Sequence, residues 1–216
     1  MSAEARSQET KVKLLEGALR TLAEQGIAKT SARAVAAAAG VNQALVFYHF
    51  GSVDELLAAA CRHGAEQTVA RYRDRLAGVS GLAELLALGR ELHAEERAAG
   101  SVAFLGQLLA GAQTQPRLAP ATAAGLDLWI DELEKVLTRV LAGTPLAEFT
   151  DIAGLARAVA ASFVGLELYE GVDGDGARRA LDALEQLAAL VTVLDELGPL
   201  GQRAVRHRLR RTTGRG

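Results

Sequence analysis

The chain has 216 residues, 50% of them hydrophobic and 23% charged, a formal net charge of −2 and a single cysteine. That length and apolar content allow one large helical domain or two small ones, and a lone Cys61 excludes an intramolecular disulfide, as suits a reducing compartment. No apolar run approaches the roughly 20 residues that span a bilayer, and the polar start MSAEARSQETK is unlike a signal peptide, so the cytoplasm, without membrane contact, is the expected place of action.

Thr10 to Leu22 is the first predicted helix, with Leu15, Ala18, Leu19 and Leu22 on one face, closed by Ala23-Glu24-Gln25-Gly26 and followed by Ile27. From Thr30 to Phe50 the pattern is helix-turn-helix. Thr30 and Ser31 offer capping hydroxyls, and Ala34, Val35 and Ala38 give an apolar stripe. Gly40 supplies the left-handed conformation that ends the helix, and Val41 drops into the angle between the two helices. Asn42 caps the second helix, which runs from Gln43 to about Phe50 with Gln43 and Ala44 in its first turn. A helix lying in the major groove presents that turn to base edges. Gln43 can pair bidentately with adenine, and Ala44 is small enough to touch a thymine methyl. Phe47 and Phe50 are read as core.

These residues, with Tyr48-His49-Phe50-Gly51-Ser52 and Asp54-Glu55-Leu56-Leu57 after them, closely resemble the N-terminal domain of the TetR family of transcriptional regulators. Five spaced features agree at once: Glu24-x-Gly26, Thr30-Ser31, Ala39-Gly40-Val41, Tyr48-His49-Phe50 and a capped fourth helix. The resemblance implies that Thr30, Ser31, Arg33, Tyr48 and His49 contact phosphates, and Asn42 joins Gln43 and Ala44 in the DNA-contacting set. Capping alone is an equally open role for Thr30 and Ser31, and a packed structural position for His49. Two positions depart from the family pattern: Val53 stands where a Lys commonly binds phosphate, and Leu45 where a polar residue is common.

Ser52-x-x-Glu55 is a capping box that starts a long helix to about Leu76, packed through Leu56, Leu57, Ala60 and Gly64. Further helical blocks run over about 82–98, 102–112, 120–141, 149–170 and 176–197, broken by Gly and Pro. The expected fold is all-α, about nine helices: a three-helix DNA-binding head (1–51), a helical ligand-binding and dimerisation domain (52–201) and a basic tail (202–216), read as a disordered end with contact to DNA or another acidic partner as the rival. Charge follows this division. Residues 1–50 carry six Lys+Arg and four Asp+Glu, residues 51–201 carry 12 and 22, and residues 202–216 six and none. A mildly basic head on an acidic body suits a protein that meets phosphate at one end.

Ala153, Ala156, Val159, Ala160, Phe163 and Leu166 line one face of the penultimate block, and Leu181, Leu184, Ala188, Val191 and Leu194 line the last. On pattern alone these are monomer core or interface. A short recognition helix reads few base pairs, so two heads on a palindrome about 34 Å apart imply a homodimer through these last two helices. The family resemblance further implies a small-molecule effector bound in the body. Phe104, Gln107, Trp129, Phe163 and Glu167 interrupt otherwise aliphatic helices and are candidate pocket lining, with core packing the rival for the apolar ones and a water-facing position for Glu167. No metal-ligand spacing among His63, His93 and His207, no phosphate loop and no nucleophile elbow are present, so neither an enzyme nor a cofactor is expected. Cys61, beside Arg62 and His63, is either a redox sensor or an inert buried thiol. The reading is a homodimeric, ligand-released repressor of a palindromic operator. Its rivals are a constitutive architectural DNA-binding protein and a small-molecule-binding bundle without DNA function.

Overall fold

In the computed structural model, residues 2–99, 101–114, 118–195 and 199–213 are described. Among them are ten α-helices and no strand: α1 (Ala3–Gln25), α2 (Ala32–Ala39), α3 (Ala44–Phe50), α4 (Val53–Gly78), α5 (Leu82–Ala98), α6 (Ser101–Thr114), α7 (Ala119–Leu141), α8 (Ile152–Glu170), α9 (Gly174–Asp195) and α10 (Pro199–Thr213). Short 3-10 turns occupy Ile27–Lys29 and Pro145–Glu148. The fold is all-α, as expected. The first helix begins earlier than its periodicity indicates, because the Ser2 side chain accepts the Ala5 N–H and caps it.

The chain divides into two compact units, residues 1–71 with 96–128 and residues 72–95 with 129–216. In the first, Leu14, Ala18 and Leu22 of α1 pack on Ala32, Val35 and Ala36 of α2, Val46 of α3 and Leu56, Leu57, Ala60 and Cys61 of α4, closed by Leu108 and Leu118. Each fully buried Leu or Val contributes about 1.5–3 kcal/mol. The tightest point is Gly17, where an added Cβ would lie 2.9 Å from Ala39 Cβ and 3.0 Å from the Val35 carbonyl oxygen. The absence of a side chain there lets α1 meet the backbone of α2. The Arg20 guanidinium then donates to the Ala38 carbonyl at 2.7 Å and satisfies the end of α2.

In the second unit, Tyr72, Leu76 and Val79 meet Leu85, Leu88 and Leu92 of α5, Val136 and Leu137 of α7 and Ala156 of α8. Arg139 donates to the Leu76 carbonyl at 2.8 Å and the Val79 carbonyl at 3.1 Å, closing the end of α4. Charged bridges tie α5 to its neighbours. Arg90 meets Asp182 at 2.7 Å and Glu185 at 2.6 Å on α9. His93 lies between two carboxylates of α8, donating from Nε2 to Glu170 at 2.5 Å, with Glu167 3.5 Å from Nδ1.

Several sequence expectations change. The disordered tail is not seen: residues 199–213 form α10, packed on the turn at Pro145–Glu148 with Arg210 3.4 Å from Glu148. Its Arg, Leu, Ala and Gln residues are good helix formers whatever their charge. Phe47 is 49% exposed, so Phe50 and not Phe47 seals α3 against the core. Although no long apolar run was counted, α8 has 19 residues and a mean hydropathy of 1.4, enough by length and composition to cross a membrane, because alanines and glycines bridge its larger apolar residues. Glu167 does not face water; it is buried against His93.

Cys61 is buried, and burial pushes its thiol up to about 11. It fits the inert alternative. Alkylation of the native protein at pH 8 is expected to run at least about 100-fold slower than in denaturant; equal rates would contradict the burial. Gly17→Leu raises helix propensity but overfills the α1–α2 crossing, and should still lower stability by about 1–3 kcal/mol in urea unfolding. An unchanged midpoint would show that the helices do not meet there.

Candidate nucleic-acid interface

The geometry of the α2–α3 pair starts at Gly40. Its backbone is left-handed (φ 66°, ψ 34°), the Val41 N–H donates to the Ala36 carbonyl at 3.0 Å and the Gly40 N–H to the Ala37 carbonyl at 3.2 Å. This is the paired-bond helix stop that a glycine allows. Val41 packs partly against the core, as its place in the turn requires. One residue on, Asn42 Oδ1 accepts the Ala44 N–H at 2.8 Å and opens α3. Its amide nitrogen keeps both hydrogens for another partner.

Val46 is fully buried, with Leu45 and Phe50 partly so, which leaves Gln43, Ala44, Phe47 and Tyr48 exposed. Spacings of four residues, Gln43 to Phe47 and Ala44 to Tyr48, put these on one side of the helix. Sequence reasoning missed Phe47; the signal was its four-residue step from Gln43. Tyr48 is 78% exposed, and the half-buried His49 ring stands edge-on to it at 4.8 Å between centroids.

At the start of α2, Ser31 Oγ accepts the Ala34 N–H at 3.2 Å and serves as the N-cap. Its own hydrogen is left to donate. Thr30 instead donates to the Gly26 carbonyl at 2.9 Å and is half-buried, so it closes the preceding turn and is not the α2 cap. Arg33 is exposed. Val53 and Leu45, the two departures from the family pattern, both pack partly against the core. Elsewhere in the head, Lys13 pairs with Glu9 at 2.8 Å and Arg20 is committed to Ala38.

The body candidates fall apart into separate groups. Phe163 stands edge-on to His93 at 5.9 Å, so it shares a site with Glu167. Trp129 packs elsewhere, on Tyr72 at 6.1 Å. The side chains of Phe104 and Gln107 lie outside the described residues. None of the other three lines the open groove of about 860 Å³ bounded by Leu15, Ser52, Glu55, Arg62, Glu66 and Pro120. No group of three metal-ligating side chains occurs among the described residues.

A two-helix element with an exposed side on its second helix and a capped, donor-bearing flank is now in place, and residues 14–60 match the family model of bacterial regulatory proteins, tetR family. The chain thus resembles the TetR family over residues 14–60, less than a quarter of its length. Its residues are 43% identical over a stretch of 56 to the HTH-type transcriptional repressor Rv3405c of Mycobacterium tuberculosis, covering 26% of this chain and 30% of that protein. The match thus spans under a third of the curated relative. Over the whole fold it is similar to a TetR-family transcriptional regulator from Rhodococcus sp., with TM-score 0.69 and 22% identity over 85% of this chain and 98% of that one. It is also similar to the multidrug binding protein EbrR complexed with proflavin, with TM-score 0.55 and 25% identity over 81% and 99%.

His49 has a lowered pKa, chiefly from burial and secondly from the charge of Lys11. Its ring should therefore titrate below the ordinary 6.5 in an NMR pH series. Lys11→Gln should return a minor part of the shift, and a full return would mean that burial is not the main cause.

Proposed function

We propose that this chain is a TetR-family, sequence-specific DNA-binding transcriptional repressor, acting in the cytoplasm as a homodimer on a palindromic operator and released by a small-molecule effector. The observation that carries the reading is the exposed row on α3. Gln43 and Ala44 stand at the first turn with no competing intramolecular role for the Gln43 side chain as a cap, and Tyr48 projects beside them. Gln43 reads adenine, Ala44 admits the helix to the groove, and Phe47 adds an apolar contact to thymine methyl or sugar. Ser31, Arg33, Asn42 and Tyr48 hold the phosphates. His49 contributes a ring N–H, and Thr30 does so on exchanging its bond to Gly26. Residues 1–51 are in this reading the DNA-binding part.

Dimerisation is supported by the apolar surface that α8, α9 and the turn between them leave in water: Leu168, Tyr169, Val172, Leu184 and Leu187. Of this set only Leu184 belongs to the predicted stripes. Ala156 and Ala188 are buried within the unit, Ala153, Val159, Ala160, Phe163, Leu166 and Leu181 are half-buried, and the side chains of Val191 and Leu194 lie outside the described residues. Large exposed apolar residues on two adjacent helices mark an association surface.

For the effector, the support is a buried polar site in an aliphatic setting, Glu167 with His93 and Phe163, in a fold shared with a protein that holds proflavin. A ligand with a cationic or hydrogen-bonding group competes with His93 for Glu167. Occupancy that favours one separation of the two heads over another lowers operator affinity.

Selection from a random duplex library should enrich a palindrome with half-sites about 34 Å apart. Gln43→Ala should cost about 1–3 kcal/mol at one base position per half-site, whereas Arg33→Gln should weaken all sequences alike and lower the salt slope by about one per subunit. No enriched sequence, or enrichment indifferent to Gln43→Ala, would overturn the reading.

A further inference from the structure

We propose that α10 is a second DNA-binding element, one that holds duplex phosphates without reading sequence, separate from the base-reading side of α3. The inference rests on DNA being the partner of this chain. Residues 199–213 contain five arginines, one histidine and no acidic residue, and they are helical. Helix formation changes what that charge can do. At 100° per residue, Arg203, His207, Arg208, Arg210 and Arg211 fall within an arc of about 160°, all five exposed, while Val205 lies outside it and is half-buried. A flexible basic tail spreads its charge through solvent; a helix presents it as one surface.

Three observations favour duplex DNA over other polyanions. First, the helix suits a rigid line of phosphates and is ill made for a lipid surface: residues 199–213 include no aromatic residue, and of their apolar positions Leu200, Ala204, Val205 and Leu209 only Val205 and Leu209 stand on the side away from that basic arc, whereas interfacial helices bury a broad apolar side. Second, the head is short of cations for its task. Of its six, Lys13 is paired and Arg20 is committed to α2, and Val53 replaces a cation with a core residue. Third, the chain's own acidic surface leaves part of the charge of α10 unpaired. Arg210 reaches Glu148 at 3.4 Å, but Arg203 and Arg211 make no ion pair among the described residues. Arginine also matches phosphate bidentately, which a compact ammonium does not.

The test uses the full chain with Arg203, Arg208, Arg210 and Arg211 all changed to Gln, which keeps helix propensity, and the same four changed to Lys, which keeps charge. Binding to a random-sequence 30-base-pair duplex is measured across a salt series, alongside binding to a selected operator. The Gln variant should lose at least about tenfold in affinity for the random duplex, with the slope of log affinity against log salt shallower by two or more, while the Lys variant recovers most of that slope and circular dichroism is unchanged. Random-duplex binding untouched by the Gln changes, with an operator still selected, overturns this inference and leaves the head reading standing. Random binding that depends on α10, with no operator selected, does the reverse. A Gln variant that loses affinity only for vesicles of anionic phospholipid, or changes only its oligomeric state, also overturns the assignment of DNA to this helix.

Discussion

The approach of α1 to the α2 backbone at Gly17 is the constraint from which the DNA-facing part of the molecule follows. With no side chain at that position, α1 sits close enough for Arg20 to reach the end of α2, and the helix stop at Gly40 then sets the direction in which α3 leaves. Val46 becomes the inward residue of α3, and the side carrying Gln43 and Tyr48 has nowhere to point but outward. The exposed row is thus a consequence of packing two helices away from it. Its precision is inherited from a backbone contact, which cannot change rotamer.

Local chemistry made much of this legible in the sequence. A capping serine, a glycine that must be left-handed and an asparagine opening the next helix act over a few residues, and each acts where expected. Positions whose state depends on distant partners were harder. Phe47 and Phe50 are chemically identical and three residues apart, so helical spacing alone could not say which one meets the core; the placement of Val46 against α1 and α2 decides it. Likewise Thr30 and Ser31 are both capable caps, and the preceding turn claims the first.

In the body, abundant alanine blurred the apolar faces, and of the exposed large apolar residues of α8 and α9 only Leu184 lies on the predicted stripes. Glu167 was ambiguous for a related reason. A carboxylate on an aliphatic helix reads as either surface or site until its partner is known, and the partner, His93, sits on a helix far away in the chain. The arginine-rich end was misjudged because charge was weighed and helix propensity was not. Pairing and burial of ionised groups are tertiary facts, whereas caps and turns are written in neighbouring residues.

Phe47 and Tyr48 stand in water on a head that otherwise buries its large apolar side chains well. Two rings held out in this way are a store of ordered hydration water in the free protein. Whatever covers them releases that water, and the free energy gained is not screened by salt, unlike any ionic contact made beside it. Association through this surface therefore has two thermodynamically distinct parts: an ionic one that fades as salt rises, and an apolar one that persists and carries a negative heat-capacity change. Sequence selectivity drawn from the second part survives where the first has gone.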